Sequence, residues 1–170
     1  MIVVCDASPI IALSAIGRLS LLQQLYGQIL IPEAVAEEVT RGRAGQARAD
    51  EIRAFDWITV KAVQDSVLLR SLHGELDRGE AEAIALAVEV RAELLLIDEK
   101  LARRVALRLG LSMVGVLGVL LEAKTKGYLP AVRPVLDDLL TKAGFRVGTD
   151  LYALVLSTAG EVPDPERAPL

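Results

Sequence analysis

Apolar residues fall into two patterns along the chain. Short unbroken runs, Ile2–Cys5 and Leu94–Ile97, are too brief for helices and read as strands buried on both faces. Between them, apolar residues recur three and four apart, as on helices with one buried side. This spacing predicts strands over 2–5, 28–31, 94–97 and 112–114, with a β-rich stretch at 57–63. Helices are predicted over 9–17, 19–26, 32–40, 46–55, 66–72, 80–91, 99–109, 130–142 and 149–159, with another opening at Gly115–Gly118 and running through 126. Punctuation supports these bounds. Ser8 is a good N-cap with Pro9 at the first helical position, Pro32 and Pro130 open helices, and Gly27 and Gly127 stop them. Asp77-Arg78-Gly79-Glu80 has the spacing of a capping box with Asp in place of Ser or Thr.

Strands separated by helices imply βαβ units. The predicted fold is a three-layer α/β/α sandwich with a central parallel sheet of four or five strands and a helical C-terminal portion. Residues 1–160 are expected to form one domain, and 161–170, with three prolines, a disordered tail. A chain of 170 residues buries roughly 70% of its unfolded surface and needs no disulfide or structural metal to fold. The hydrophobic content of 52% fits a well-buried sheet. No apolar run approaches the roughly 18 residues that span a membrane, and the N-terminus has no basic leader. The single Cys5 excludes an internal disulfide, and a reducing cytoplasm is the expected location. The net charge of −4 argues against binding nucleic acid over the whole surface, while leaving room for a local basic strip.

The candidate chemistry is acidic. Asp6 and Asp98 each end a buried apolar run, which places them at the sheet's carboxyl edge, where open α/β folds hold their ligands. The alternatives are a strand-ending turn for Asp6 and an N-cap for Asp98. Helical phase sorts the glutamates. Ile31, Val35 and Val39 form one apolar face; Glu38 lies about 70° from its centre, while Glu37 and Glu33 point to solvent. Ala81, Ile84, Ala85 and Val88 form the next face; Glu80 sits on its margin and Glu82 and Glu89 point away. Asp6, Glu38, Glu80 and Asp98 together would make an oxygen-rich pocket suited to Mg²⁺ or Mn²⁺, with Glu99 as an auxiliary ligand or first-turn charge.

His73 is the only histidine and has no partner at zinc spacing. No glycine-rich nucleotide loop or nucleophile elbow is present. Basic residues cluster twice: Arg41, Arg43, Arg48 and Arg53, and then Lys100, Arg103, Arg104 and Arg108. Lys100, Arg104 and Arg108 share a helix face that either holds a phosphate backbone or is simply solvated.

These pieces in this order resemble a PIN domain, the metal-dependent nuclease fold that includes the VapC-type toxins. The matching segments are Val3-Val4-Cys5-Asp6-Ala7-Ser8, Glu38-Val39-Thr40-Arg41-Gly42, Gly79 to Ala87 and Leu95-Leu96-Ile97-Asp98. More narrowly, Asp-x-Ser-Pro, Gly-Glu-Ala-Glu-Ala-Ile and the downstream Gly115-Val116-Leu117-Gly118-Val119-Leu120 resemble a prokaryotic branch long known as a domain of unknown function. The resemblance implies a nuclease centre of Asp6, Glu38, Glu80 and Asp98 around Mg²⁺ or Mn²⁺. It implies an RNA substrate held by Lys100, Arg104 and Arg108, with Ser8 and Arg103 as further contacts. It also points to an antitoxin protein or a second copy of the chain as partners. The chain departs from the toxin pattern at the third acid, where Ala81 stands between Glu80 and Glu82. A degenerate PIN fold that binds RNA or a protein without cleavage is the second reading. Phosphotransfer enzymes of the haloacid-dehalogenase or receiver type are weaker alternatives, since Ser8 stands where the former wants a second aspartate and the latter wants an acidic pair.

Overall fold

The computed structural model describes residues 1–42 and 44–161. Strand β1 (Val3–Cys5) leads into α1 (Ala7–Ala15), α2 (Ser20–Tyr26) and β2 (Ile29–Pro32). Helices α3 (Glu33–Val39) and α4 (Gly45–Ala54), strand β3 (Ile58–Lys61), and α5 (Val67–Leu72) follow. Then come α6 (Arg78–Glu89), β4 (Leu94–Leu96), α7 (Lys100–Arg108), β5 (Met113–Val114), α8 (Val116–Thr125), α9 (Arg133–Lys142) and α10 (Thr149–Thr158). The fold is α/β: the five strands form one parallel sheet, flanked by helices, in the order β3-β2-β1-β4-β5.

That order creates a topological switch point. From β1 the chain moves outward one way through β2 and β3, then returns to the other side of β1 for β4 and β5. Helices leaving β1 and β4 depart in different directions, so a crevice opens beyond the carboxyl ends of these two strands. Val4 lies opposite both Leu30 and Leu95, and Cys5 opposite Leu96. The ladder continues past the strands, with Asp6 N–H donating to the Leu96 carbonyl at 2.9 Å and Ile97 N–H to the Val114 carbonyl at 3.0 Å. Asp6 and Asp98 are therefore delivered to the crevice by backbone pairing.

The sheet is apolar because helices cover it. Val3, Val4, Cys5, Ile29, Ile31, Leu95, Leu96 and Ile97 are all buried. Strand β3 is different: beyond Ile58 its residues are exposed, as suits an edge strand ending in Lys61. Helix α6 packs against β1, β2 and β4 and against α3, α5 and α7. It is buried on nearly every side, through Gly79, Ala81, Glu82, Ala83, Ile84, Ala85, Leu86 and Ala87. Its small side chains let it approach the sheet closely.

Four expectations are corrected. Helix α1 begins at Ala7 with Asp6 as its N-cap, so Ser8 is the second helical residue rather than the cap. Pro9 is tolerated because first-turn N–H groups have no intrahelical acceptor to lose. Glu82 does not point to solvent. It is 9% exposed, accepts a 3.0 Å bond from Ala34 N–H and receives Arg78 Nε at 3.2 Å, so it ties α6 to the start of α3. Val88, placed on the buried face by helical phase, is instead exposed. Glu161, expected in the tail, belongs to the fold: it pairs with Lys124 at 3.0 Å and accepts from Val132 and Arg133 N–H groups. The remainder of that tail, 162–170, and Arg43 lie outside the described residues. Among the described residues, no helix is long and apolar enough to cross a membrane.

Candidate active site

Of the four acids named from sequence, Asp6, Glu38 and Glu80 stand together near the start of α6, while Asp98 follows the neighbouring strand with partners of its own. Asp6 is 3% exposed, and its side chain makes no capping bond to α1. Its carboxyl is pushed up from 3.8 to about 7, chiefly by burial and further by the charges of Glu38, Glu80 and Asp77; the Ala7 amide opposes this. Glu38 is raised by burial and by Asp77, with Arg41 partly offsetting. Glu80 is raised by burial, then by Asp77, Glu99 and Glu38, while the Asp77 amide holds it down. These side chains share one electrostatic neighbourhood.

Asp77 is the member that sequence reasoning misses. The sequence assigns it only to the capping box, and that box is real: Asp77 Oδ1 accepts from Glu80 N–H at 2.9 Å, and Glu80 Oε2 accepts from Asp77 N–H at 3.3 Å. The box also places both carboxylates at the helix start facing Glu38. Gly79 shows how close they come. A Cβ there would stand 2.5 Å from Glu38 Oε2, 3.6 Å from Asp77 Oδ1 and 3.8 Å from Asp6 Oδ1. The missing side chain is the floor of the acid group.

Gly79→Ala should therefore separate stability from function. Alanine is the better helix former by up to about 1 kcal/mol, and the only severe clash is with the far end of a flexible glutamate. The expected result is a melting temperature equal to or above wild type with Glu38 displaced and metal affinity reduced. A variant that melts lower and keeps full metal affinity would show that the glycine serves packing instead.

Asp98 follows β4 on the neighbouring strand. It does not cap α7; Glu99 does, accepting from Ala102 N–H at 2.9 Å. Glu99 is thereby committed to the helix start, while its charge still reaches Glu80. Asp98 instead reaches across to β5, where Oδ1 accepts from Val116 N–H at 3.0 Å at the start of α8. Gly115 permits this, since a Cβ there would come within 2.5 Å of Asp98 Oδ1. The second oxygen, Oδ2, is buried and has no hydrogen-bond partner among the described residues. Burial raises the Asp98 carboxyl, and the Val116 amide and Arg103 pull it back down. An unpartnered buried carboxylate oxygen is costly and marks a place where a cation or donor fits.

Every donor in this set is a carboxylate oxygen, the chemistry that Mg²⁺ and Mn²⁺ accept and softer ions do not prefer. Among the described residues, however, no three His, Cys, Asp or Glu side chains stand close enough to form a ready-made metal cage.

The basic residues divide differently from the sequence expectation. Arg108 is engaged elsewhere, its Nη2 pairing with Glu75 at 2.8 Å. Arg103, named only as a further contact, is the cation beside Asp98. Its Nη1 donates to the Ile97 carbonyl at 2.9 Å, and its charge acts on Asp98. A groove of about 500 Å³ joins Asp98 to Lys100, Arg103 and Arg104. Ser8 lines a second cleft on the other side of Arg103.

A parallel five-stranded α/β sheet with carboxylates at its switch point defines a class of acid-centred, ligand-binding folds. A family model described as PIN domain matches residues 2–161, and the chain belongs to that family, a nuclease-type fold. No curated protein matches the chain.

Proposed function

We propose that this protein is a Mg²⁺- or Mn²⁺-dependent endoribonuclease. PIN domains are generally nucleases, and nucleases of this fold typically use divalent metals. The observation that carries the reading is the pair at the switch point: buried, charge-crowded Asp6 and the partnerless Oδ2 of Asp98. The residues fit the ion by donor chemistry. Asp6 and Asp98 would hold it from the strand ends, and Glu38 and Glu80 from the helices, with Asp77 adding negative charge. The chemistry a divalent cation supplies when bound is Lewis acidity toward water and the phosphodiester.

The chain's own contribution is positional. Backbone pairing of β1 and β4 fixes Asp6 and Asp98, and the capping box fixes Glu80. Arg103, anchored on the Ile97 carbonyl, offers its remaining N–H groups to a phosphate beside Asp98. Lys100 and Arg104 extend the same groove and would track the backbone without reading sequence. No protein nucleophile is required: water attacks phosphorus as one P–O bond breaks, and the released oxygen takes up a proton.

The test is cleavage of a mixed-sequence single-stranded RNA by the purified protein. Products are expected with Mn²⁺ and none in EDTA, and fewer from DNA of the same sequence. Equal cleavage in EDTA would end this reading. A second reading, an RNA binder without cleavage, draws support from the absence of a preformed acid cage among the described residues. It predicts affinity for RNA with no metal-dependent products. A role as the toxin half of a toxin–antitoxin pair, with a protein antitoxin as partner in the cytoplasm, rests on the resemblance to VapC-type toxins; growth arrest on expression, relieved by Asp98→Asn, is its test.

A further inference from the structure

Beyond the acids lies a second, mostly apolar cleft of about 770 Å³, within the range of about 300–1,000 Å³ that holds small ligands. Asp98 and Glu99 line it, and Arg103 is the ridge it shares with the basic groove. Ile11, Met113 and Leu117 line it from three elements. Phe145 and Arg146 join them from the loop after α9. Gly144 at φ +66 turns the chain out of α9, and Phe145 N–H then closes back on the Leu139 carbonyl at 3.0 Å, which fixes the loop's direction. The Arg146 side chain is exposed and makes no ion pair or hydrogen bond among the described residues.

We propose that this cleft holds the nucleotide next to the scissile phosphate, with Phe145 against its base and Arg146 on its phosphate. The proposal rests on the nucleic-acid reading of the acid site. Its occupant follows from charge and placement. One end of the cleft is anionic, at Asp98 and Glu99, and needs an intervening cation to accept a phosphate. The rest supplies what a flanking nucleotide needs: an apolar wall with one aromatic ring for the base, and two guanidinium groups, Arg103 and Arg146, for the backbone. Arginine suits this role because its planar fork matches phosphate oxygens. A base enters such a cleft only when it is unpaired, so duplex RNA should be a poor substrate. Arg103 would then stand between two consecutive phosphates, one in each groove.

The probe is a 12-nucleotide single-stranded RNA of mixed sequence. Its affinity is measured in EDTA, where no cleavage occurs, and its cleavage kinetics in Mn²⁺. Phe145→Leu is expected to weaken binding about fivefold, the low end of base–aromatic stacking. It should raise KM and leave kcat in place. Arg146→Gln should weaken binding similarly and make the salt dependence shallower by about 0.7, the share of one single-strand phosphate contact. An abasic nucleotide beside the cut should weaken binding to wild type and have little further effect in Phe145→Leu. Arg53→Gln, on exposed α4, is the control.

Phe145 also packs against the core, so its variant is checked by melting; Arg146→Gln touches no packing and carries the test if Phe145→Leu unfolds. Variants that bind and cleave like Arg53→Gln overturn the subsite while leaving the ribonuclease reading in place. Wild type that binds RNA through these residues but never cleaves it overturns the ribonuclease reading and supports the subsite. Wild type with no affinity for RNA overturns the subsite.

Discussion

Asp98→Asn and Asp6→Asn are each expected to reduce metal-dependent RNA cleavage by at least about 100-fold, the upper end of what losing even an outer partner of a metal costs. Both substitutions keep side-chain size. In Asp98→Asn the amide oxygen can still accept from Val116 N–H, so the β5–α8 junction should hold. What is lost there is the anionic Oδ2, which has no other partner among the described residues. In Asp6→Asn, a charge that burial and three neighbouring acids already disfavour is removed outright. Melting temperatures of both variants should stay at or above wild type at pH 8. RNA affinity should survive or increase, since less negative charge faces the phosphates. Cleavage assays and melting curves on the same preparations check this. Full activity in both variants would point to a contaminating nuclease.

The second large effect is on stability. Asp6 titrates at about 7 in the folded chain and near 3.8 when unfolded. A carboxyl raised in this way favours the folded state while protonated, and that advantage is lost as pH rises through the folded value. Apo stability should therefore fall between about pH 4 and pH 8, by on the order of 4 kcal/mol from Asp6 at about 1.36 kcal/mol per pKa unit. The raised carboxyls of Glu38, Glu80 and Asp98 act in the same direction. Glu122 and Glu161, held below 4.5 by their hydrogen bonds, contribute their stability fully once the pH is above about 5 and do not confuse the window from pH 5 to 8.

Mg²⁺ or Mn²⁺ should reverse the loss. At 100 times its dissociation constant an ion contributes about 2.7 kcal/mol, or a rise of about 5–10 °C in melting temperature for a chain of this size. The rise should be larger at pH 8 than at pH 6, with proton release on binding below pH 7. Asp6→Asn should flatten the apo pH profile. A flat wild-type profile together with no metal shift would remove the acid site from the account.

Much of this arrangement is legible in the amino-acid sequence alone. The runs Ile2–Cys5 and Leu94–Ile97 read as buried strands ended by acids, and β1 (Val3–Cys5) and β4 (Leu94–Leu96) form within them, although Ile2 is exposed. Proline and glycine positions mark most helix limits, because they act through local backbone geometry. What stays hidden depends on how elements meet. Helical phase assumes one buried face, and α6 is buried nearly all round as far as Ala87, so phase misplaces Glu82; Val88 is exposed because it lies in the last turn, past the point where that burial ends. Asp77 reads as a cap because the capping box fully explains it; only its approach to Glu38 over Gly79 shows a second contribution. Arg108 and Glu75 are 33 residues apart, and their pairing leaves no local signature. Phe145 and Arg146 reach the cleft beside Asp98 through the packing of α9 on α1 and α8. The one hint in sequence is Gly144 just before them, where a helix must end.

The central claim is that the switch-point acids hold a divalent cation, and anomalous scattering from crystals grown with Mn²⁺ tests it most directly. The account predicts a strong peak within about 2.5 Å of carboxylate oxygens from both Asp6 and Asp98, with Asp98 Oδ2 among them. Crystals at saturating Mn²⁺ with no peak there, or with the ion bound only elsewhere on the surface, would contradict it.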